Sequence, residues 1–362
     1  MKIAFINFYS GFVDRGGETF VHELANRLAE KNDVTVFQAG PTIDSKYKTI
    51  TVGNFKQTKW LSSLQPTHIL RRLFLDSSKR REFVFTLLLL PKLFKLRPQV
   101  VLPLNSGWQA LVISIYCRLS GAKLVIAGQS GPGWDDRWNL LMKPHLFVAL
   151  TNRQHAWANR ASIWIQQIIK ISNGVDIARF TPAGKKFQTT LPKPIILMVA
   201  ASTPDKRVEQ GIRAVAKLKS ASLLLLGSGP MDERVNKLGY ELLGKKRFLH
   251  LSVKHEQMPQ YYRAADIFTL CSFSSEAFGI VYLEAMASGL SCVATDDESR
   301  REIVGTAGDY VSNPDDPTEY SRVIEKVLNK DWKDLPLKQS RKFSWELIAE
   351  SYEMALNSLV EK

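Results

Sequence analysis

Glu276 and Glu284 stand eight positions apart in the run Glu276-Ala277-Phe278-Gly279-Ile280-Val281-Tyr282-Leu283-Glu284. Glu276 falls in a polar turn after the apolar run 266–272. Glu284 falls about one turn inside a helix expected over 280–288 and closed by Gly289. At about 1.5 Å of rise per helical residue the carboxylates would stand on the order of 10 Å apart, near the span from a sugar to a ribose across a diphosphate. The N–H groups of Gly279, Ile280 and Val281, at the positive end of the helix dipole, would face that diphosphate. A plainer reading makes Glu276 a helix-capping acid and Glu284 a stray charge met by a backbone donor. Against it, the helix is apolar on nearly every side, and an ionised glutamate rarely sits there without a specific partner.

Displacing a diphosphate requires positive charge at the departing oxygens. Metal-dependent chemistry commonly supplies Asp-x-Asp. This chain offers only the adjacent pairs Asp135/Asp136, Asp296/Asp297 and Asp315/Asp316, so no metal is expected. The alternative cations are Lys206 and Arg207, in a loop between a strand and a helix, a usual ligand-facing position; otherwise they are solvated. Gly16-Gly17-Glu18, just after the first strand, would let backbone amides approach a phosphate, or is merely a turn. The segment from Gln129 to Trp138 carries two indoles and two carboxylates and either faces a sugar or acceptor or forms a rigid turn. Val253 and Gln129 are expected among the side chains that set specificity. The six histidines, His255 included, form no visible triad and read as structural.

A chain of 362 residues exceeds what one core usually organises, so two domains are expected. Its 45% hydrophobic content is that of a soluble globular protein. Cys117, Cys271 and Cys292 have no metal-ligand spacing and fit a reducing cytosol. The N-terminus lacks the pattern of a signal peptide, and the longest apolar run, 83–90, is too short to span a bilayer. The net charge of +14 is uneven. Residues 54–98 hold ten Lys/Arg against Asp76 and Glu82, interleaved with Trp60, Leu61, Leu70, Leu73, Phe74 and Leu75. That region is either a basic amphipathic surface for anionic lipid or a solvated loop and helix. No nucleic-acid-binding motif accompanies the charge, so nucleic acid is not an expected partner.

Strand-like runs alternate with helical periodicity in both halves, which predicts two doubly wound parallel sheets. The first domain is expected over 1–180, a linker over the Pro/Gly/Lys/Thr-rich stretch 181–194, and the second domain over 195–342. An amphipathic terminal helix follows within 343–362.

The stretch 260–295, from Tyr261-Tyr262-Arg263-Ala264-Ala265-Asp266-Ile267-Phe268 through Gly289-Leu290-Ser291-Cys292-Val293-Ala294-Thr295, closely resembles the donor-binding region of retaining GT-B glycosyltransferases of family four. The resemblance implies two Rossmann-like domains facing a central cleft, with the terminal helix crossing back to the first. It implies a UDP- or GDP-sugar donor, retention of configuration, and a glycan or lipid-linked acceptor. Glu276 would orient donor-sugar hydroxyls, Glu284 hold the ribose, and Lys206 with Arg207 neutralise the leaving phosphates. Phe278, Gly279, Ile280 and Val281 would line the donor, and Gly16 and Gly17 would face it from the other domain. Two positions depart from the family: Ala201 stands where an arginine is usual, and Gln129 where a histidine is usual. Glutamine can hydrogen-bond a sugar but cannot carry a proton. These departures motivate a rival reading, a scaffold that binds nucleotide or glycan without turnover. A sugar-nucleotide epimerase is disfavoured, because no acid–base pair stands out.

Overall fold

The computed structural model describes residues 1–13, 15–56, 72–164, 166–273 and 276–361. They form two compact units: Met1–Asn173 together with Trp345–Lys362, and Gly174–Ser344.

The first unit is built on strands β1 (Lys2–Ile6), β2 (Asp33–Gln38), β3 (Lys48–Thr51), β4 (Val100–Pro103), β5 (Lys123–Ala127), β6 (Leu146–Ala149) and β7 (Gln167–Lys170). They lie in the order β3-β2-β1-β4-β5-β6-β7, all neighbours parallel, with Ile3 opposite Val34 on one side and Val100 on the other. Helices cover both faces, so the central strands are apolar throughout rather than alternating. One face is closed by Phe20 and Leu24 of helix Gly16–Leu28 with Trp345, Tyr352 and Leu356 of helix Trp345–Val360. The other is closed by Phe85 and Leu89 of helix Ser77–Leu96 with Ile113 and Tyr116 of helix Trp108–Ser120. The terminal helix thus completes the first unit, its Trp345 and Tyr352 rings 6.1 and 5.8 Å from that of Phe20. Strand β3, too short and too exposed to show a hydrophobic pattern, was not expected.

The second unit uses β8 (Ile195–Val199), β9 (Ser222–Leu226), β10 (Phe248–Leu251), β11 (Ile267–Leu270), β12 (Cys292–Thr295) and β13 (Gly308–Val311), ordered β10-β9-β8-β11-β12-β13 and again all parallel. Strand β13 and helices Glu298–Val304, Pro317–Leu328 and Leu335–Arg341 extend the unit beyond the elements read in the sequence. Residues 181–194 hold no helix or strand and pack on this unit. The Arg263 guanidinium donates to the carbonyls of Thr181 and Lys185, and Phe187 stacks on Tyr261.

Candidate functional site

In a doubly wound sheet a ligand site forms where strand order reverses, outside the carboxyl ends of the two strands that flank the reversal. In the second unit those strands are β8 and β11, and the loops that follow them meet. The Phe273 N–H donates to the carbonyl of Asp205 at 2.9 Å. Lys206, at the end of the short turn Pro204–Lys206, makes a direct ion pair through Nζ with Glu276 Oε2. The partners are seventy positions apart, and both are partly exposed. Separate tasks expected for Lys206 and Glu276 therefore fall on one contact.

Three residues beyond Glu276 the helix Ile280–Ala287 opens at Gly279. Gly279 has φ +88°, and a Cβ there would lie 2.9 Å from the Tyr282 ring, so both conformation and space demand glycine. The first N–H groups of the helix, from Ile280 and Val281 onward, have no carbonyl four residues earlier in helical geometry and are left to point outward. The Tyr282 hydroxyl donates to the Leu270 carbonyl and fastens the helix to the end of β11.

Glu284 is enclosed where Glu276 is partly exposed. It is only 4% exposed, with Oε1 2.8 Å from His255 Nε2 and Oε2 accepting from the Tyr262 hydroxyl at 2.7 Å. A buried carboxylate needs such donors, and it gains side-chain ones instead of a backbone N–H. Burial and the adjacent Glu284 carboxylate hold the Tyr262 phenol well above its usual pKa, so it remains a donor. Phe180 packs against both His255 and Tyr262. His255 is thus part of the site, which its position in a polar segment after β10 did not signal. Val253 lies partly buried in that same segment. Phe278 is buried and packs on Phe343, so its side chain belongs to the core rather than to a ligand surface, as its apolar ring dictates.

Arg207 also departs from expectation. Its guanidinium bonds Asp315 at 3.0 Å and lies 3.8 Å over the Phe273 ring, and its backbone is left-handed at the start of helix Val208–Ala216. Arg300, overlooked in the sequence, is fully buried and grips the Glu276 loop from inside. Its guanidinium donates to Ser272 Oγ at 3.1 Å, to the Phe273 carbonyl at 3.2 Å and to the Glu276 carbonyl at 3.4 Å, and pairs with Asp297 at 3.3 Å.

In the first unit Gly16 and Gly17 are not a turn but the first residues of a helix, and nothing lies within 4 Å of the Cβ position of Gly17. The Gln129 carboxamide is joined to that of Asn173 by two reciprocal 3.0 Å hydrogen bonds, which leave it one N–H and one lone pair. The segment expected to display its indoles and carboxylates enters a helix at Trp134, which stays exposed, while Asp135 and Trp138 are half-buried and Asp136 is buried. Asp135 accepts from Ser106 Oγ at 2.6 Å, and the Trp138 indole donates to the Gly107 carbonyl. Asp136 is fully buried, accepts from Gln154 at 2.8 Å and from Asn139 at 3.2 Å, and burial raises its pKa to about 7. Of the basic stretch 54–98, Lys59, Trp60, Leu61, Leu70 and Arg71 lie outside the described residues, as does His68, and Phe74 is buried.

Residues 183–344 match the family model described as glycosyl transferases group 1. The chain is 27% identical over 217 residues to a GDP-mannose-dependent monoacylated alpha-(1-6)-phosphatidylinositol monomannoside mannosyltransferase of Corynebacterium glutamicum, covering 52% of this chain and 55% of that protein. It is 30% identical over 178 residues to a phosphatidyl-myo-inositol mannosyltransferase of Mycolicibacterium smegmatis, covering 45% and 43%. The chain spans about half the length of the curated relatives it matches. Among solved structures, sucrose-phosphate synthase from Thermosynechococcus elongatus matches with a TM-score of 0.79 at 20% identity over 99% of this chain and 98% of that one. HepE of Anabaena, in complex with UDP and glucose, matches with 0.73 at 17% over 99% and 100%. Two doubly wound units in this order are the fold of these GT-B proteins, and the family match within the second unit supports a GT-B glycosyltransferase.

Proposed function

We propose that the chain transfers a sugar from a UDP or GDP donor to a glycan or lipid-linked acceptor, with retention of anomeric configuration and without a metal. The observation that carries this reading is the Lys206–Glu276 pair at the strand-order reversal, three residues before a helix N-terminus that only glycine can open. Lys206 supplies the positive charge for the departing diphosphate, and Glu276 orients hydroxyls of the sugar. The amides from Gly279 to Val281 meet the phosphates, and Glu284 meets the ribose through the lone pairs that His255 and Tyr262 leave unused. Gln129 offers its remaining N–H to the sugar or acceptor, and the leaving oxygen takes the acceptor proton. The Corynebacterium relative is GDP-mannose-dependent and the Anabaena structure holds UDP, so both bases belong in the test.

The test is incubation of the purified chain with a panel of UDP- and GDP-sugars, reading nucleotide diphosphate release and, by NMR, the anomeric configuration of the product. Release with one base and a retained configuration supports the reading. Tight binding with no release from any donor would favour the scaffold, which Ala201 and the Asp315-directed Arg207 also fit. A new sugar nucleotide of unchanged mass would identify an epimerase.

A further inference from the structure

The imidazole of His255 is met on both of its nitrogens. Nε2 lies 2.8 Å from Glu284 Oε1, and Nδ1 lies 3.3 Å from Nη2 of Arg179, a residue seventy-six positions earlier. The same guanidinium nitrogen donates to the His255 carbonyl at 2.5 Å, so one of its N–H groups meets the backbone and the other is left for the ring. A guanidinium donates only, and it keeps its charge at any working pH. The Nδ1 that faces it must therefore be the lone-pair nitrogen. The ring proton is left on Nε2, where it points at the carboxylate. With the proton on Nδ1 instead, a lone pair on Nε2 would confront a carboxylate oxygen and push Glu284 away. Tyr262 could not take over, because its one hydroxyl proton already serves the other oxygen.

Arg179 is itself fixed in place. The Asp176 carboxylate accepts from the N–H groups of Ala178 and Arg179, and the Asp176 carbonyl accepts from the Phe180 N–H, which closes a turn around the arginine. The Arg179 carbonyl accepts from Arg263 at 3.3 Å. Its guanidinium lies 5.3 Å over the Phe180 ring, and that buried ring packs against His255 and Tyr262 at 5.8 and 5.7 Å. We infer that Arg179 is a positioning residue for donor binding: through His255 it holds the proton on Nε2 and so keeps Glu284 oriented, with the carboxylate's remaining lone pairs aimed in one direction. A group that binds two ribose hydroxyls must have its own rotamer set by such supporting bonds. An arginine that merely fastened the turn 176–180 to the backbone of residue 255 would affect stability and leave hydroxyl recognition untouched. The inference rests on the reading of Glu284 as the ribose partner, and the experiment separates the two.

The experiment is titration calorimetry of the full chain with UDP and GDP, and with the dideoxyribose analogue of whichever binds, beside nitrogen NMR of the chain labelled at histidine. Wild type should prefer the ribonucleotide to its analogue. Arg179→Met should lose about tenfold in affinity for the ribonucleotide and little for the analogue, so that the preference shrinks about tenfold. His255→Gln, whose carboxamide can accept from Arg179 and donate to Glu284, should keep the preference within about threefold, and His255→Phe should lose it. In the spectrum Nε2 should carry the proton in wild type, and Nδ1 should gain a share of it in Arg179→Met. Thermal melting followed by circular dichroism checks that each variant is folded, and the wild-type spectrum needs no variant. A wild type that binds neither nucleotide, or binds the analogue equally well, would refute the ribose reading and the inference with it. A preference that persists in folded Arg179→Met, or a proton on Nδ1 in wild type, would overturn the inference alone.

Discussion

His255 Nε2 lies 2.8 Å from Glu284 Oε1, and Tyr262 donates to the other oxygen of the same carboxylate. A buried carboxylate that loses one of two side-chain donors keeps its desolvation cost. His255→Phe should therefore destabilise the second unit by about 1–3 kcal/mol. In a double-mutant cycle with Glu284→Gln, whose neutral amide needs less support, the two changes should be non-additive by about 0.5–3 kcal/mol. Thermal or urea denaturation measures this, and simple additivity would mean that the histidine does not sustain the carboxylate.

Arg300 reaches three groups of the loop that carries Glu276, so its effect should appear first in donor binding. Arg300→Lys keeps the charge but cannot match the planar fork. Titration calorimetry with the preferred donor should show weaker binding of about tenfold. Arg300→Met leaves Asp297 without its guanidinium, with only the backbone N–H of residue 300 to bond, and should cost about 3 kcal/mol of stability. Unchanged affinity in Arg300→Lys would limit the residue to a structural role.

Asp136 gives the first unit a pH dependence of defined sign. Burial raises its folded pKa from 3.8 to about 7. Between those values the folded chain holds a proton that the unfolded chain has released, so stability falls as pH rises through that window and levels off above it. Asp136→Asn cannot titrate. Its amide faces the Gln154 and Asn139 donors, so it should be less stable at every pH but should lose that share of the slope. A slope between pH 4 and 7 identical to wild type would assign the dependence to other groups.

Trp345 is fully buried against Phe20 and begins the helix that closes one face of the first sheet. Trp345→Ala should cost about 3–5 kcal/mol. Hydrogen exchange followed by mass spectrometry should show the lost protection in β1 and helix Gly16–Leu28, with little change in β8 or β11. Equal loss in both units would contradict the place given to this helix.

Alternating apolar strands and amphipathic helices made both sheets readable, because parallel strands covered on two faces must be continuously hydrophobic, as Ile195–Val199 and Ser222–Leu226 are. Strand β3 and strand β13, with Gly308 and Asp309, lack that signal and gain their conformation from neighbours already in place. Lys206, Glu276 and Gly279 were legible singly, since each is an unusual residue for its element. Their pairing was not, because it depends on β8 lying next to β11. His255, Arg300 and Asp315 were missed for the same reason: each acts on a residue distant in sequence, and local spacing carries no trace of it. Gln129 and Arg207 stood out as polar loop residues, but their partners, Asn173 and Asp315, lie far off in sequence and redirect what they can offer.

The central claim is that Lys206 and Glu276 serve the departure of a diphosphate. It is tested most directly by the donor turnover of Lys206→Met and Glu276→Gln, with stability and donor affinity measured on the same preparations. The account predicts folded variants with kcat lowered about 100-fold or more, the magnitude lost when a single charge-stabilising group is removed. Either folded variant turning over donor at the wild-type rate would contradict it.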